Sequence, residues 1–221
     1  GQFRALRRVG GTMGKVKTRD RILDVSLQLF NRLGEPNVTT LLISDELEIS
    51  PGNLYYHFKS KGDIVEELFR AYEAEMLDLL AVPEEADVPM DQFSFFLHLL
   101  FEAVARYRFL YQDLVNVLSR YDQLQVRFRR ILKKKELAFN TLCESFRRQG
   151  IMNIGSDELA SVCEQLTLTV CYWSSFDTLS HLDDRESVDP GRGVYQMLHL
   201  LLPYLNEEEQ EQVRLTSRTY L

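Results

Sequence analysis

Cysteine is scarce in this sequence: three residues in 221, at positions 143, 163 and 171. An odd number without metal-like spacing excludes a disulfide framework and a structural zinc site. Cys163 and Cys171 would lie about 12 Å apart along one helix, too far to bridge. The expectation is buried thiols in a reducing cytoplasm. Histidine is also rare, and His57, His98, His181 and His199 form no His-x-x-x-His pair. No Gly-x-Ser-x-Gly elbow is present, and Gly10-Gly11 and Gly191/Gly193 are not phosphate loops. No metal, no cofactor and no enzymatic activity are expected. No apolar run reaches the roughly 18 residues of a membrane span. The basic start is not followed by the apolar segment of a signal peptide.

Strand-like alternation is missing as well, and an all-α chain is expected. Its charge is unevenly placed. The net value of −7 divides into ten basic and six acidic residues over positions 1–61, net +4, and sixteen and twenty-seven over the remainder, net −11. A basic head on an acidic body suits a protein that meets DNA at one end.

The head carries the strongest local pattern. An amphipathic helix runs from Lys17 to Leu33, with Ile22, Ser26, Leu29, Phe30 and Leu33 on one face and Gly34 closing it. Lys15, Lys17, Arg19 and Arg21 cluster near its start. Thr39 and Thr40 are N-cap residues ahead of Leu41, Leu42, Ile43 and Leu47. The pattern breaks at Glu48-Ile49-Ser50. Ser50 then caps a second short helix with Pro51 at its first position, and Leu54 and Phe58 recur four apart. Ser60, with Asp63 three residues on, starts a longer helix.

Two short helices joined by a tight turn make a helix-turn-helix, whose second helix enters the major groove. Gly52 allows close approach of backbone to DNA, and Asn53 can read a base edge, best of all adenine. Tyr55, Tyr56 and His57 can donate to phosphates, and Thr40, Ser50, Pro51 and Lys61 complete the candidate surface.

The run Ile49-Ser50-Pro51-Gly52-Asn53-Leu54-Tyr55-Tyr56-His57-Phe58-Lys59-Ser60-Lys61, with Ile22, Leu29, Phe30, Thr40 and Ile43, resembles the DNA-binding head of the tetracycline-repressor (TetR) family of transcriptional regulators. One position departs: Glu48 stands in the turn where the family usually has glycine. A left-handed conformation there would cost about 1 kcal/mol, which a slightly different turn would avoid. The resemblance implies a cytoplasmic regulator, in all expectation a repressor, bound as a homodimer to a palindromic double-stranded operator and released by a small effector. The expected division is 1–12 as a tag or flexible extension, 13–62 as the helix-turn-helix domain and 63–221 as an all-helical ligand-binding and dimerisation domain.

The helix from Ser60 to about Leu80 has Ile64, Leu68, Ala71, Tyr72, Glu75 and Leu79 along a stripe, and would link head to body. A proline-bearing acidic loop, 81–91, follows. Further helices are expected over 92–108, 109–121, 123–149 (closed by Gly150), Ser156–Leu182, Asp189–Leu205 and Asn206–Arg218. Arg127, Arg129, Arg130, Lys133, Lys134 and Lys135 would form a basic surface on the long segment 123–149.

This layout resembles the family's ligand-binding body. The bulky residues on expected inward faces, His98, Tyr107, Tyr111, Tyr172, Trp173 and Phe176, are candidate effector contacts. The few charges expected on those faces favour an apolar or aromatic effector. By the same resemblance the last two long helices would dimerise, through Val170, Val194, Met197, Leu198, Leu201 and Leu202.

Overall fold

The computed structural model of the protein describes residues 16–183 and 189–221. The expected extension 1–12 and Lys15 lie outside the described residues. Among those residues the chain is helical throughout, with a single isolated bridge between Met152 and Leu205 and no strand.

Three helices make the head. α1 (Thr18–Leu33) buries Ile22, Ser26, Leu29 and Phe30 and stops at Gly34, whose φ of 85° few other residues adopt. Leu33, expected on that face, is exposed at its edge. A single 3-10 turn, Glu35–Asn37, leads to α2 (Thr40–Leu47) and α3 (Pro51–His57). α4 (Lys61–Leu79) is the link to the body. Ile64, Leu68 and Tyr72 lie on its buried side as expected, joined by Val65, Phe69 and Met76, whereas Ala71 faces out.

The body packs seven further helices. α5 (Met90–Arg106) is central and buries Phe93, Leu97, Leu100, Phe101 and Val104, although Phe95 is exposed. The helix expected over 109–121 is broken into α6 (Arg108–Tyr111) and α7 (Leu114–Arg120). The break falls at Asp113, whose ψ of 34° is not helical and whose carboxylate takes hydrogen bonds from Asn116 and Arg120. Aspartate competes with the helix backbone in this way more readily than most residues.

α8 (Asp122–Arg148) is the longest helix and ends ahead of Gly150, at φ 73°. α9 (Ser156–Ser180) starts with Gly155, not Ser156, at the capping position. α10 (Pro190–Leu201) is capped by Asp189, and α11 (Glu207–Ser217) by Asn206, whose Oδ1 accepts from Glu209 N–H at 2.8 Å.

Two contacts hold the far end together. A Cβ on Gly193 would meet the Phe101 ring at 2.5 Å, so only glycine lets α10 lie this close to α5. The loop before α9 is stitched to the loop before α11 by Asn153 N–H to Tyr204 O, 2.8 Å, and Asn206 N–H to Ile151 O, 2.9 Å.

The basic surface expected on α8 is smaller than its sequence suggests. Arg127 turns to α4, where it pairs with Glu66 and with Glu73 at 3.0 Å and covers the Phe69 ring. Lys135 is fully buried. Arg129, Arg130 and Lys133 remain exposed.

Candidate nucleic-acid interface

The geometry of α2 and α3 follows from their caps. Thr39 Oγ1 accepts from Leu42 N–H at 3.1 Å, so Thr39 is the cap and Thr40 the first helical residue. That phase leaves Leu41 exposed while Ile43 and Leu47 are buried, which corrects the simple apolar run. Glu48 ends α2 in the left-handed region, φ 56° and ψ 40°. The turn is therefore one whose geometry favours glycine, and Glu48 is the one non-glycine residue at positive φ among those described. Ser50 Oγ accepts from Asn53 N–H at 3.1 Å, and Pro51 occupies the position where no donor is needed.

With Leu54 and Phe58 buried beneath it, α3 turns Pro51, Gly52, Asn53, Tyr55 and Tyr56 outward. Tyr55 is 59% exposed and Tyr56 76%, an unusual display of two large rings side by side. His57 is half-buried, its ring edge-on to Tyr56 at 5.1 Å. Lys59 lies over the Tyr55 ring at 4.5 Å and donates to Tyr55 O at 3.2 Å. An added Cβ on Gly52 would find nothing nearer than Ser50 Oγ at 4.0 Å, so no internal contact requires glycine there. An open groove of about 610 Å³ borders this helix, lined by Thr39, Thr40, Pro51, Gly52, Tyr55 and Lys59 among others.

Lys61 departs from its expected role. Its ammonium is not turned outward to a phosphate but inward to Glu35, with 3.0 Å to the carboxylate and 3.0 Å to the carbonyl. Glu35 is 1% exposed and is a hub between head and body. Arg120 donates to it from Nε and Nη2 at 3.1 and 2.8 Å, and Tyr121 donates through its hydroxyl. Burial alone would raise the Glu35 pKa; the hydrogen bonds from Tyr121, Lys61 and Arg120 outweigh it and hold the carboxyl below its ordinary range. Arg19 is likewise engaged inside the head, 3.1 Å from Glu67 and over the Phe58 ring.

A second clasp lies at Asn31 of α1. Its side chain donates to Arg106 O at 2.9 Å and accepts from Phe109 N–H at 2.8 Å, while Arg108 Nε donates to Asn31 O at 3.3 Å.

The six residues expected to face an effector do not converge. Tyr107 and Tyr111 are buried against Tyr72, with ring centroids 5.3 and 5.9 Å from it. Burial pushes the Tyr107 hydroxyl up to about 12 and raises those of Tyr111 and Tyr72 as well. His98 pairs with Glu102 at 2.9 Å along one side of α5. Trp173 is half-buried, with its indole N–H enclosed and unpartnered. Tyr172 and Phe176 face outward, so their expected inward placement is wrong.

The expected dimer residues are displaced in the opposite sense. Val170, Val194, Met197, Leu198 and Leu201 are fully buried within one chain, and Leu202 is half-buried. They fill the body's own core. A stripe of exposed apolar residues lies instead on α9: Leu168, Tyr172, Phe176 and Leu179.

Sequence reasoning also missed Lys135. It lies on the buried stripe of α8, in register with Phe128, Ile131, Ala138 and Leu142, and that spacing was the signal that could have found it.

Comparison with known proteins agrees along the chain. The family model described as "Bacterial regulatory proteins, tetR family" matches residues 22–68, and the one described as "Bacterial transcriptional repressor" matches residues 71–213. A TetR-family transcriptional regulator from Marinobacter aquaeolei shares 34% identity and a TM-score of 0.83, over 93% of this chain and 99% of that one. The HTH-type transcriptional regulator AcrR of Shigella flexneri is 32% identical over 78 residues, 35% of this chain and 36% of its own length. The HTH-type transcriptional repressor KstR2 of Mycolicibacterium smegmatis is 31% identical over 109 residues, 46% of this chain and 51% of its own. The chain thus spans about a third to a half of the curated relatives it matches.

Proposed function

The chain belongs to the TetR family of transcriptional regulators, and from that premise we propose that it is a repressor: a homodimer that binds a palindromic operator and is released by a small effector. Residues 13–62 act as the DNA-binding head and 63–221 as the sensing and dimerising body. Binding DNA puts its work in the cytoplasm. The family acts by binding DNA and not by catalysis.

The observation that carries the reading is the outward row Pro51, Gly52, Asn53, Tyr55 and Tyr56 on a capped helix whose other face is fixed by Leu54 and Phe58. Asn53 reads a base edge in the major groove. Gly52, whose missing side chain nothing internal explains, lets the backbone approach the duplex. Tyr55, Tyr56, His57, Thr40 and Ser50 contact phosphates and set the register. Lys59, exposed beside Tyr55, takes the phosphate role that Lys61 leaves.

Dimerisation proceeds through the α9 stripe, which a second copy would cover. Two heads on a two-fold axis then meet half-sites about 34 Å apart on one face of the duplex.

Selection of bound sites from a random duplex pool tests this. A two-fold symmetric motif is expected, and Asn53→Ala should relax one position per half-site by about 1–3 kcal/mol. Recovery of no motif, or of one that Asn53→Ala leaves unchanged, overturns the reading.

A further inference from the structure

Lys135 is the most costly side chain in the body. It is 0% exposed, in the middle of α8. Its ammonium donates to the Tyr111 hydroxyl at 2.6 Å and lies 4.8 and 5.7 Å from the rings of Tyr111 and Phe128. Tyr111 in turn shares a hydrogen bond with the Tyr72 hydroxyl. Among the described residues no carboxylate pairs with this lysine.

A buried cation without a counter-ion is destabilising, and an apolar residue of the same length would serve the core better. Stability therefore does not explain Lys135. An ammonium with unused donors and two phenol hydroxyls, converging inside an aromatic shell, match the two oxygens of a carboxylate.

We propose that Lys135, Tyr111 and Tyr72 anchor the carboxylate of an effector that is a hydrophobic organic acid, its apolar body packing among the surrounding aromatic rings. This rests on the reading above that the body binds an effector. It modifies the expectation of an apolar or aromatic effector, which rested on the few charges expected on the inward faces.

The same three residues tie the site to the head. Tyr72 is on α4, whose first turn follows directly on α3. Tyr111 ends α6, a single turn whose other end is clasped by Asn31 of α1. Lys135, on α8, holds Tyr111 directly and Tyr72 only through it. A carboxylate that takes over the hydroxyls separates Tyr72 from Tyr111, and with them the two segments that carry the head.

The test uses the full chain and matched probes: phenylacetate, 4-phenylbenzoate and decanoate, each beside its primary amide. Trp173, the single tryptophan, reports binding by fluorescence, and thermal shift gives a second measure. At least one acid should bind, about tenfold or more tighter than its amide, the scale of one charge-assisted hydrogen bond. Lys135→Met should abolish that preference and still retain duplexes selected by the wild type. Tyr111→Phe, which removes only a hydroxyl, should weaken acid binding and leave the amide unchanged; it serves also if Lys135→Met does not fold. Equal binding of acids and amides, binding of no acid, or an unaltered preference in the variants overturns the proposal. Loss of duplex binding by the wild type would instead sink the regulator reading, since acid binding is read without DNA.

Discussion

Glu48 and Lys135 both fit their positions poorly, for different reasons. Glu48 sits in a left-handed turn that its Cβ opposes, and it is exposed. Glu48→Gly should stabilise the protein by about 1 kcal/mol. Thermal unfolding should rise by about 2–4 °C for a chain of this size. An unchanged midpoint would mean that the gain is lost to the greater freedom of the unfolded glycine.

For Lys135, burial pushes the ammonium pKa down, and the nearby Cys171 thiol offsets this only in part. The unfolded chain therefore holds this proton to higher pH than the folded one. Stability is lost as pH falls through the folded pKa and regained as pH rises toward the ordinary lysine value of about 10.4. Tyr72, Tyr111 and Cys171 have raised pKa values and oppose the trend at high pH in both proteins; the Lys135 charge offsets part of the Cys171 shift, so that opposition is no weaker in Lys135→Met. The wild type should thus gain on Lys135→Met as pH is raised, in paired unfolding curves, and parallel curves would contradict the buried cation.

At the scale of elements, α3 and the turn before it separate reading DNA from holding the head in place. Asn53 lies on the open face and its loss should leave stability alone. Lys61 is drawn into the Glu35 hub, so Lys61→Ala should lower the unfolding midpoint more than it flattens the salt dependence of DNA binding. The opposite order, a flattened slope at unchanged stability, would return Lys61 to the phosphate backbone.

Glu35 joins the head to Arg120 and Tyr121 of the body. Glu35→Gln should cost about 1–3 kcal/mol, the range for hydrogen bonds to a charged group. Because the folded pKa is depressed, that contribution is present above the ordinary carboxylate range and is lost as pH falls through the folded value. The two proteins should converge in stability at acid pH.

At the scale of the whole molecule, one helix carries a row of large apolar residues that its own core does not use. Phe176 and Leu179 are 60% and 69% exposed on α9, beside Leu168 and Tyr172. Scattered exposed apolar residues are ordinary, but four in one stripe of a single helix are characteristic of an interface. Phe176→Glu with Leu179→Glu should give a monomer by sedimentation and lower operator affinity by at least about a hundredfold, since each half-site is then bound alone. A double variant that remains dimeric would move the interface elsewhere. The acidic body under a basic head is consistent with the same arrangement, because it orients the molecule with the head toward DNA.

Local chemistry alone determined the all-helical class, the caps at Ser50, Ser60, Asp189 and Asn206, and the exposed face of α3. Each depends on residues within a turn or two of one another, where spacing and cap identity suffice. Partners decided the rest. Lys61 and Lys135 look like surface lysines until Glu35 and Tyr111, 26 and 24 residues away, are brought against them. The apolar faces of α9 and α10 were equally suited to a core or to a second copy, and only packing on α5 and α8 assigned Val170, Val194 and Met197 to the interior and left Phe176 and Leu179 outside. A helix's period says which residues share a side; which side meets the protein is decided by the neighbours that pack on it.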